Sequence, residues 1–210
     1  MENNSGRDLL ILFTRYPQAG KAKTRLIPAL GPQGAAELQK RMTEQAVGQI
    51  KKFLATQEVA AQICYEGGNE LLLRDWLAVD LPCLPQGAGS LGERLELAFR
   101  TAFAEGVGRV VIVGSDCPGL NPAIFARAFA ALARHDLVLG PATDGGYYLI
   151  GLAAPQPYLF REIPWGGSEV FETTRSRADL LQLSTHCLEQ LADVDRPEDL
   201  RHFGDYPYSQ

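Results

Sequence analysis

At 210 residues, the chain can bury a substantial core in one large domain or two very small ones. Its 46% hydrophobic and 21% charged residues are those of an ordinary soluble globule. A net charge of −5 argues against a nucleic-acid partner, which needs a basic face to displace counterions. The four cysteines, Cys64, Cys83, Cys117 and Cys187, lie far apart with no C-x-x-C pair, which argues against a zinc site or disulfide scaffold and fits reduced thiols.

The polar start MENNSGRDLL runs directly into an apolar stretch and reads as neither signal peptide nor membrane span, so a soluble, cytoplasmic protein without a membrane partner is expected. LLILFT (9–14) is a short unbroken apolar run, the pattern of a strand buried on both faces. A Gly- and Pro-containing loop follows to Pro32. Residues 33–54 carry an apolar stripe through Ala36, Leu38, Met42, Ala46, Ile50 and Phe53, and predict a helix. EVAAQICY (58–65) reads as a second strand, and NELLLRDWLA as a helix capped by Asn69. LPCLPQGAGSLG is a loop or a very short edge strand, after which Ser90–Glu105 reads as a helix.

RVVIV (109–113) is the clearest central strand, followed by a helix over about 122–134 and strands at 137–140 and 147–151. A helix over about 169–180 and a last one beginning near Pro197 complete the pattern. Alternation of strands and helices predicts a mostly parallel α/β sheet in a single three-layer α/β/α domain, with an antiparallel excursion where two late strands follow each other directly. Ligands of such sheets sit beyond the carboxyl ends of the strands, which directs attention to the loops after residues 14, 113 and 140.

The first of these loops is FTRYPQAGKAKTRL. Lys21, Lys23 and Arg25 alternate, so an extended backbone would turn all three cations to one side, with Arg15 adding a fourth and Gly20 allowing a close approach. Against an acidic background this suits a di- or triphosphate, with Arg binding as a fork, Lys as a point charge, and Thr24 within the same stretch. It is not a Walker A loop, because Ala22 stands where Ser or Thr would be. QGAGSLGERL matches G-x-G-x-x-G through Gly87, Gly89 and Gly92, but Pro82 and Pro85 precede it where a dinucleotide fingerprint needs a buried strand. It reads either as a Gly-rich turn into a helix N-terminus that cradles a ribose or base, or as a plain connection.

VVIVGSDCPGL delivers Asp116 to the sheet edge, where a carboxylate beside phosphates suits Mg²⁺ or Mn²⁺; the ordinary alternative is an Asx cap on the next turn. Cys117 has no His near it in sequence and reads as packing. In GPATDGGYYLIG the D-G-G triplet is a hairpin turn, and its position makes Asp144, Gly145 and Gly146 candidate acceptor contacts. Trp165 in IPWGGSEV either stacks on a ring or covers the core, and Ser168 begins a helix. In DVDRPEDL, Asp193 and Asp195 point to the same side if extended, and either complete the metal site or charge the N-terminus of the last helix.

FTRYPQAGKAKTRL, QGAGSLGERL, GSDCPGL, DGGYYLIGL, PWG and DVDRPEDL occur in the order seen in a bacterial family of GT-A-type nucleotide-diphospho-sugar transferases, also described as arsenosugar-biosynthesis glycosyltransferases, and the resemblance covers about residues 8–203. It implies a GT-A fold. The chain also resembles phospholactate guanylyltransferase and the molybdenum-cofactor nucleotidyltransferases in the Lys/Arg loop, the strand-end Asp and the closing acidic stretch. By that resemblance Lys21, Lys23 and Arg25 contact phosphates, Asp116 holds the metal, and Asp195 or Asp193 is its second ligand. GSDCP carries one Asp where many GT-A glycosyltransferases carry D-x-D, and Arg196 stands where Thr is common.

The expected function is a metal-dependent glycosyltransferase with a nucleotide-diphospho-sugar donor and a small-molecule acceptor, with Lys23, Arg25 and Asp144 in catalysis. The alternatives are nucleotidyl transfer from an NTP to a small phosphorylated metabolite, and a non-catalytic nucleotide-binding module.

Overall fold

The computed structural model describes residues 6–203; the polar lead of residues 1–5 and the tail 204–210 lie outside them. Seven strands, β1 (Asp8–Arg15), β2 (Val59–Glu66), β3 (Cys83–Pro85), β4 (Val110–Gly114), β5 (Leu137–Pro141), β6 (Tyr147–Leu152) and β7 (Thr185–Cys187), form one sheet in the order β3-β2-β1-β4-β6-β5-β7. All neighbouring pairs are parallel except the two that β6 makes, with β4 and with β5. The antiparallel excursion read from the late strands is therefore the β5–β6 hairpin.

Five helices cover the sheet: α1 (Ile27–Leu54), α2 (Glu70–Leu77), α3 (Leu91–Ala104), α4 (Pro122–Leu132) and α5 (Val170–Leu180). The unbroken apolar run of β1 divides between the two faces. Leu10 and Leu12 pack under α1, α2 and α4, with Ile50, Phe53, Leu73 and Phe125. Leu9, Ile11 and Phe13 pack under α3 and α5, with Leu95, Phe99 and Ala178. Burial on both sides is why β1 and β4 lack the alternation of a half-exposed strand.

The capping signals behave as their chemistry requires. Asn69 accepts from the Leu72 amide, and Ser90 and Glu93 close a reciprocal capping box at the start of α3. The first helix starts earlier than its apolar stripe suggested. Gly31, at φ 68°, and Pro32 kink the chain, and one more turn precedes them. The final segment Pro197–Phe203 winds as a 3₁₀ helix rather than an α-helix. β7 was missed because THC is only three residues long and carries no apolar run. None of the described helices is long and apolar enough to cross a membrane.

Phe53 holds α1 to α4: its ring lies 5.6 Å from Phe125, edge-on, and 6.0 Å from Phe129, stacked. Replacing it with Ala opens a cavity between two helices that cannot close on each other. Phe53→Ala should cost about 3–5 kcal/mol in urea unfolding, with an unchanged denaturant slope.

Candidate active site

The carboxyl ends of β1, β2, β3, β4 and β5 and the start of β6 open into a cavity of about 540 Å³, a size usual for a small-molecule site. Its lining follows the strand order. Gln86, Glu66 and Arg15 come from the β3, β2 and β1 ends, Ser115 and Asp116 from the β4 end, and Ala142 and Gly146 from the hairpin.

At its centre is Lys23. The backbone there is left-handed (φ 47°, ψ 45°), which turns the side chain inward, and only 2% of that side chain is exposed. A buried ammonium needs partners. Nζ donates to the Val194 carbonyl at 2.6 Å, lies 2.9 Å from Asp116 Oδ1, and is 4.0 Å from Asp195 Oδ1. Arg25 donates to Asp195 Oδ2 at 2.6 Å. The acidic tail is fixed from beneath as well, because Val194 is buried with Leu26, Ala35, Leu38 and Met42. The valine between the two aspartates is thus an anchor, and Asp193 and Asp195 both line the cavity.

A second charged group forms the β2–β3 wall. Glu66 Oε2 receives Arg15 Nη2 at 2.6 Å and Arg94 Nη1 at 3.0 Å. Burial alone would raise the Glu66 pKa, but these hydrogen bonds outweigh it and hold the carboxyl below the usual range. Arg94 also donates to Gln86 Oε1, and the Gln86 amide donates to the carbonyls of Thr14 and Cys64, so this wall is rigid. Behind it, Thr14, Gln39, Thr43 and Ser115 share buried hydrogen bonds that join β1, β4 and α1.

Two loops meet at the third wall. Trp165 lies across Gly92, where an added Cβ would come within 2.5 Å of Nε1, and stands edge-on to Tyr147 at 6.2 Å. At Gly145, φ is 89° and a Cβ would fall 2.0 Å from the Ser168 carbonyl oxygen, so the hairpin turn closes on the 165–168 loop only with glycine there. Asp144 accepts from the Gly146 amide at 2.7 Å.

Of the residues singled out in the sequence, Arg15, Lys23, Thr24, Arg25, Asp116, Asp144, Gly146, Trp165, Asp193 and Asp195 line the cavity. Gly20, Lys21, Gly87, Gly89, Gly92, Gly145 and Ser168 do not. The loop is not extended: it turns at 19–21 and winds into a 3₁₀ turn at Thr24–Leu26, so the three alternating cations do not share a side. Lys21 is exposed, and its carbonyl accepts from Arg15 Nη1 at 3.1 Å.

Sequence reasoning missed Thr14, Gln39, Glu66, Gln86, Arg94 and Ser115. The usable signal was a polar residue closing an apolar strand: Thr14 ends LLILFT, and Glu66 ends VAAQICYE. Cys117 is buried, and burial together with the charges of Asp116 and Asp193 pushes its thiol pKa well up, so it packs rather than reacts.

Among the described residues, no group of three or more His, Cys, Asp or Glu is arranged to hold a metal ion by itself. Asp116 and Asp195 nevertheless reach one cation, the Lys23 ammonium, from two sides. Two such hard carboxylates fit Mg²⁺ or Mn²⁺ where phosphate oxygens complete the shell.

The model of a bacterial family described as "Uncharacterized protein conserved in bacteria (DUF2064)" matches residues 46–167, and the chain belongs to that family. A structure from Desulfovibrio desulfuricans G20, provisionally named a nucleotide-diphospho-sugar transferase, superposes with a TM-score of 0.84 at 32% identity, over 95% of this chain and 87% of that one. The 4-diphosphocytidyl-2C-methyl-D-erythritol synthase of Anaerococcus prevotii DSM 20548 matches with a TM-score of 0.60 at 12% identity, over 93% of this chain and 96% of that one. The glucosyl-3-phosphoglycerate synthase of Mycobacterium tuberculosis, in complex with Mn²⁺, UDP and phosphoglyceric acid, matches with a TM-score of 0.56 at 13% identity, over 94% and 74%. The last two likenesses speak for the fold alone. No curated protein matches the sequence. The fold is thus the GT-A-like, nucleotide-diphospho-sugar transferase architecture expected from the motifs.

Asp193 gives a direct check on this electrostatic picture. Burial, followed by the charge of Asp144, raises its pKa, while the hydrogen bond from Thr143 at 3.1 Å opposes the rise. A carboxyl raised in the folded state favours folding below its unfolded pKa and costs stability once pH passes the folded value. Asp193→Asn keeps the acceptor for Thr143. It should therefore raise the Tm of the ligand-free protein at pH 7 and lose that advantage as the pH falls toward about 4.

Proposed function

We propose that this member of the DUF2064 family is a cytoplasmic, divalent-metal-dependent glycosyltransferase that uses a nucleotide-diphospho-sugar donor. The observation that carries the reading is the convergence of Lys23 and Arg25 with Asp116 and Asp195 at the β1 and β4 ends of one cavity. In this reading the nucleoside lies along the Gln86–Glu66–Arg94 wall, and its diphosphate meets Lys23 and Arg25. Asp116 and Asp195 would hold Mg²⁺ or Mn²⁺, which would supply positive charge to offset that of the departing nucleoside diphosphate. The Mn²⁺ and UDP of the M. tuberculosis synthase support this use of the fold.

The acceptor hydroxyl oxygen attacks the anomeric carbon, and the bond from that carbon to the diphosphate oxygen breaks with its electrons leaving on the diphosphate. Asp144 takes the hydroxyl proton. Lys21 is exposed and does not line the cavity, and Arg15, which does, is paired with Glu66, so Lys23 and Arg25 are the loop's cations nearest the two aspartates. That supply suits a diphosphate better than a triphosphate, and it favours glycosyl over nucleotidyl transfer.

A thermal-shift screen of nucleoside triphosphates and nucleotide-diphospho-sugars with Mn²⁺ tests the reading, because a ligand bound far above its Kd raises the Tm. The expected result is protection by a nucleotide-diphospho-sugar, metal-dependent release of a nucleoside diphosphate, and loss of about 100-fold or more of that turnover in Asp116→Ala. Pyrophosphate release from a triphosphate would replace this reading with nucleotidyl transfer, and protection without turnover would leave a binding module.

A further inference from the structure

The cavity's charge is distributed unevenly along the sheet edge, and this bears on the second substrate. Every cation that lines the cavity belongs to β1, the basic loop or α3: Arg15, Lys23, Arg25 and Arg94. The hairpin end, lined by Asp144, Gly146, Tyr147, Trp165, Val170 and Asp193, has none among its described residues. α5 starts at this end, at Val170, but its Phe171 amide already donates to the Gly145 carbonyl, which leaves fewer amides of this helix N-terminus to attract an anion. Here Glu169 stands at the N-cap position and Glu172 in the first turn, and both oppose that attraction.

We infer that the acceptor is an uncharged, polyhydroxylated ring, a sugar or cyclic polyol without phosphate or carboxylate groups. The inference rests on the glycosyltransferase reading above. The carboxylates of Asp144 and Asp193 are pure acceptors and suit hydroxyl donors. Trp165, edge-on to Tyr147, and the buried Val170 give the apolar C–H face of such a ring a surface to lie on. An acceptor phosphate would meet Asp144 and Asp193 with no cation to answer it. A cationic ring would approach Lys23, Arg25 and the bound ion. A neutral ring avoids both penalties.

The test is calorimetric binding of neutral hexoses and inositol, each against its monophosphate, to protein saturated with Mn²⁺ and a protective nucleoside diphosphate. A neutral ring should bind in the millimolar range or better, and at least about tenfold tighter than its monophosphate in low salt. Screening should shrink that gap in 0.5 M salt, where the Debye length is only about 4 Å. Asp144→Asn should narrow the gap by admitting the phosphorylated form. Trp165→Ala should weaken the neutral ring while leaving nucleotide binding in place, which shows that the fold survives. Equal or tighter binding of the monophosphates overturns the inference, and so does failure of every neutral ring to bind at 100 mM. If no nucleoside diphosphate binds in the first place, the glycosyltransferase reading falls instead.

Discussion

The site depends on one buried ammonium. Lys23 is turned inward by a left-handed backbone, and its charge is answered by Asp116, Asp195 and the Val194 carbonyl. Those partners come from the loop after β4 and from a segment 171 residues beyond Lys23. Losing Asp116 would leave the buried ammonium with the Val194 carbonyl and a carboxylate 4.0 Å away, which costs more than an ordinary lost contact. The packing of Val194 beneath Leu26 and Leu38 secures the same junction from the apolar side. Electrostatics and packing therefore hold the acidic tail against the basic loop together.

The same arrangement governs how a ligand would enter. Arg15 and Arg94 already serve Glu66, and Lys23 and Arg25 already serve Asp116 and Asp195. Phosphates gain the second pair only if another cation takes over the two carboxylates. In the proposed enzyme a divalent ion would do this, and metal and diphosphate would then bind as coupled partners. The Gln86–Glu66–Arg94 wall, whose hydrogen bonds lie within the protein, would need no such exchange to take the proposed nucleoside.

Much of the fold could be read because its strands are apolar runs with distinct ends. β1, β4 and the D-G-G hairpin followed from local pattern, and so did the placement of Asp116 and Asp144 at one sheet edge. The orientation of the basic loop could not be read. Alternating cations imply a common side only in an extended chain, and this loop turns, so Lys21 and Lys23 part. The burial of Lys23 against Asp116, Val194 and Asp195 could not be read either, because sequence spacing carries no information about contact between positions so far apart. QGAGSLG reads either as a Gly-rich turn that cradles a ribose or base or as a plain connection. What spacing could not show is that Gly92 makes room for Trp165, a close approach fixed by a loop some seventy residues away. Arg94 and Gln86 were overlooked because each is unremarkable until β2, β3 and α3 are assembled around Glu66.

The central claim is that Asp116 and Asp195, which answer the Lys23 ammonium in the structure, would hold a divalent ion once a nucleoside diphosphate is bound. Calorimetric titration of Mn²⁺ into the protein, with and without a bound nucleoside diphosphate, tests it most directly when repeated on Lys23→Met. The account predicts that Mn²⁺ binds the wild-type protein at least about tenfold tighter with the diphosphate present. In Lys23→Met, Mn²⁺ alone should bind more tightly than to the wild type, because the competing ammonium is gone. Mn²⁺ affinity that is indifferent both to the diphosphate and to the loss of Lys23 would contradict the account.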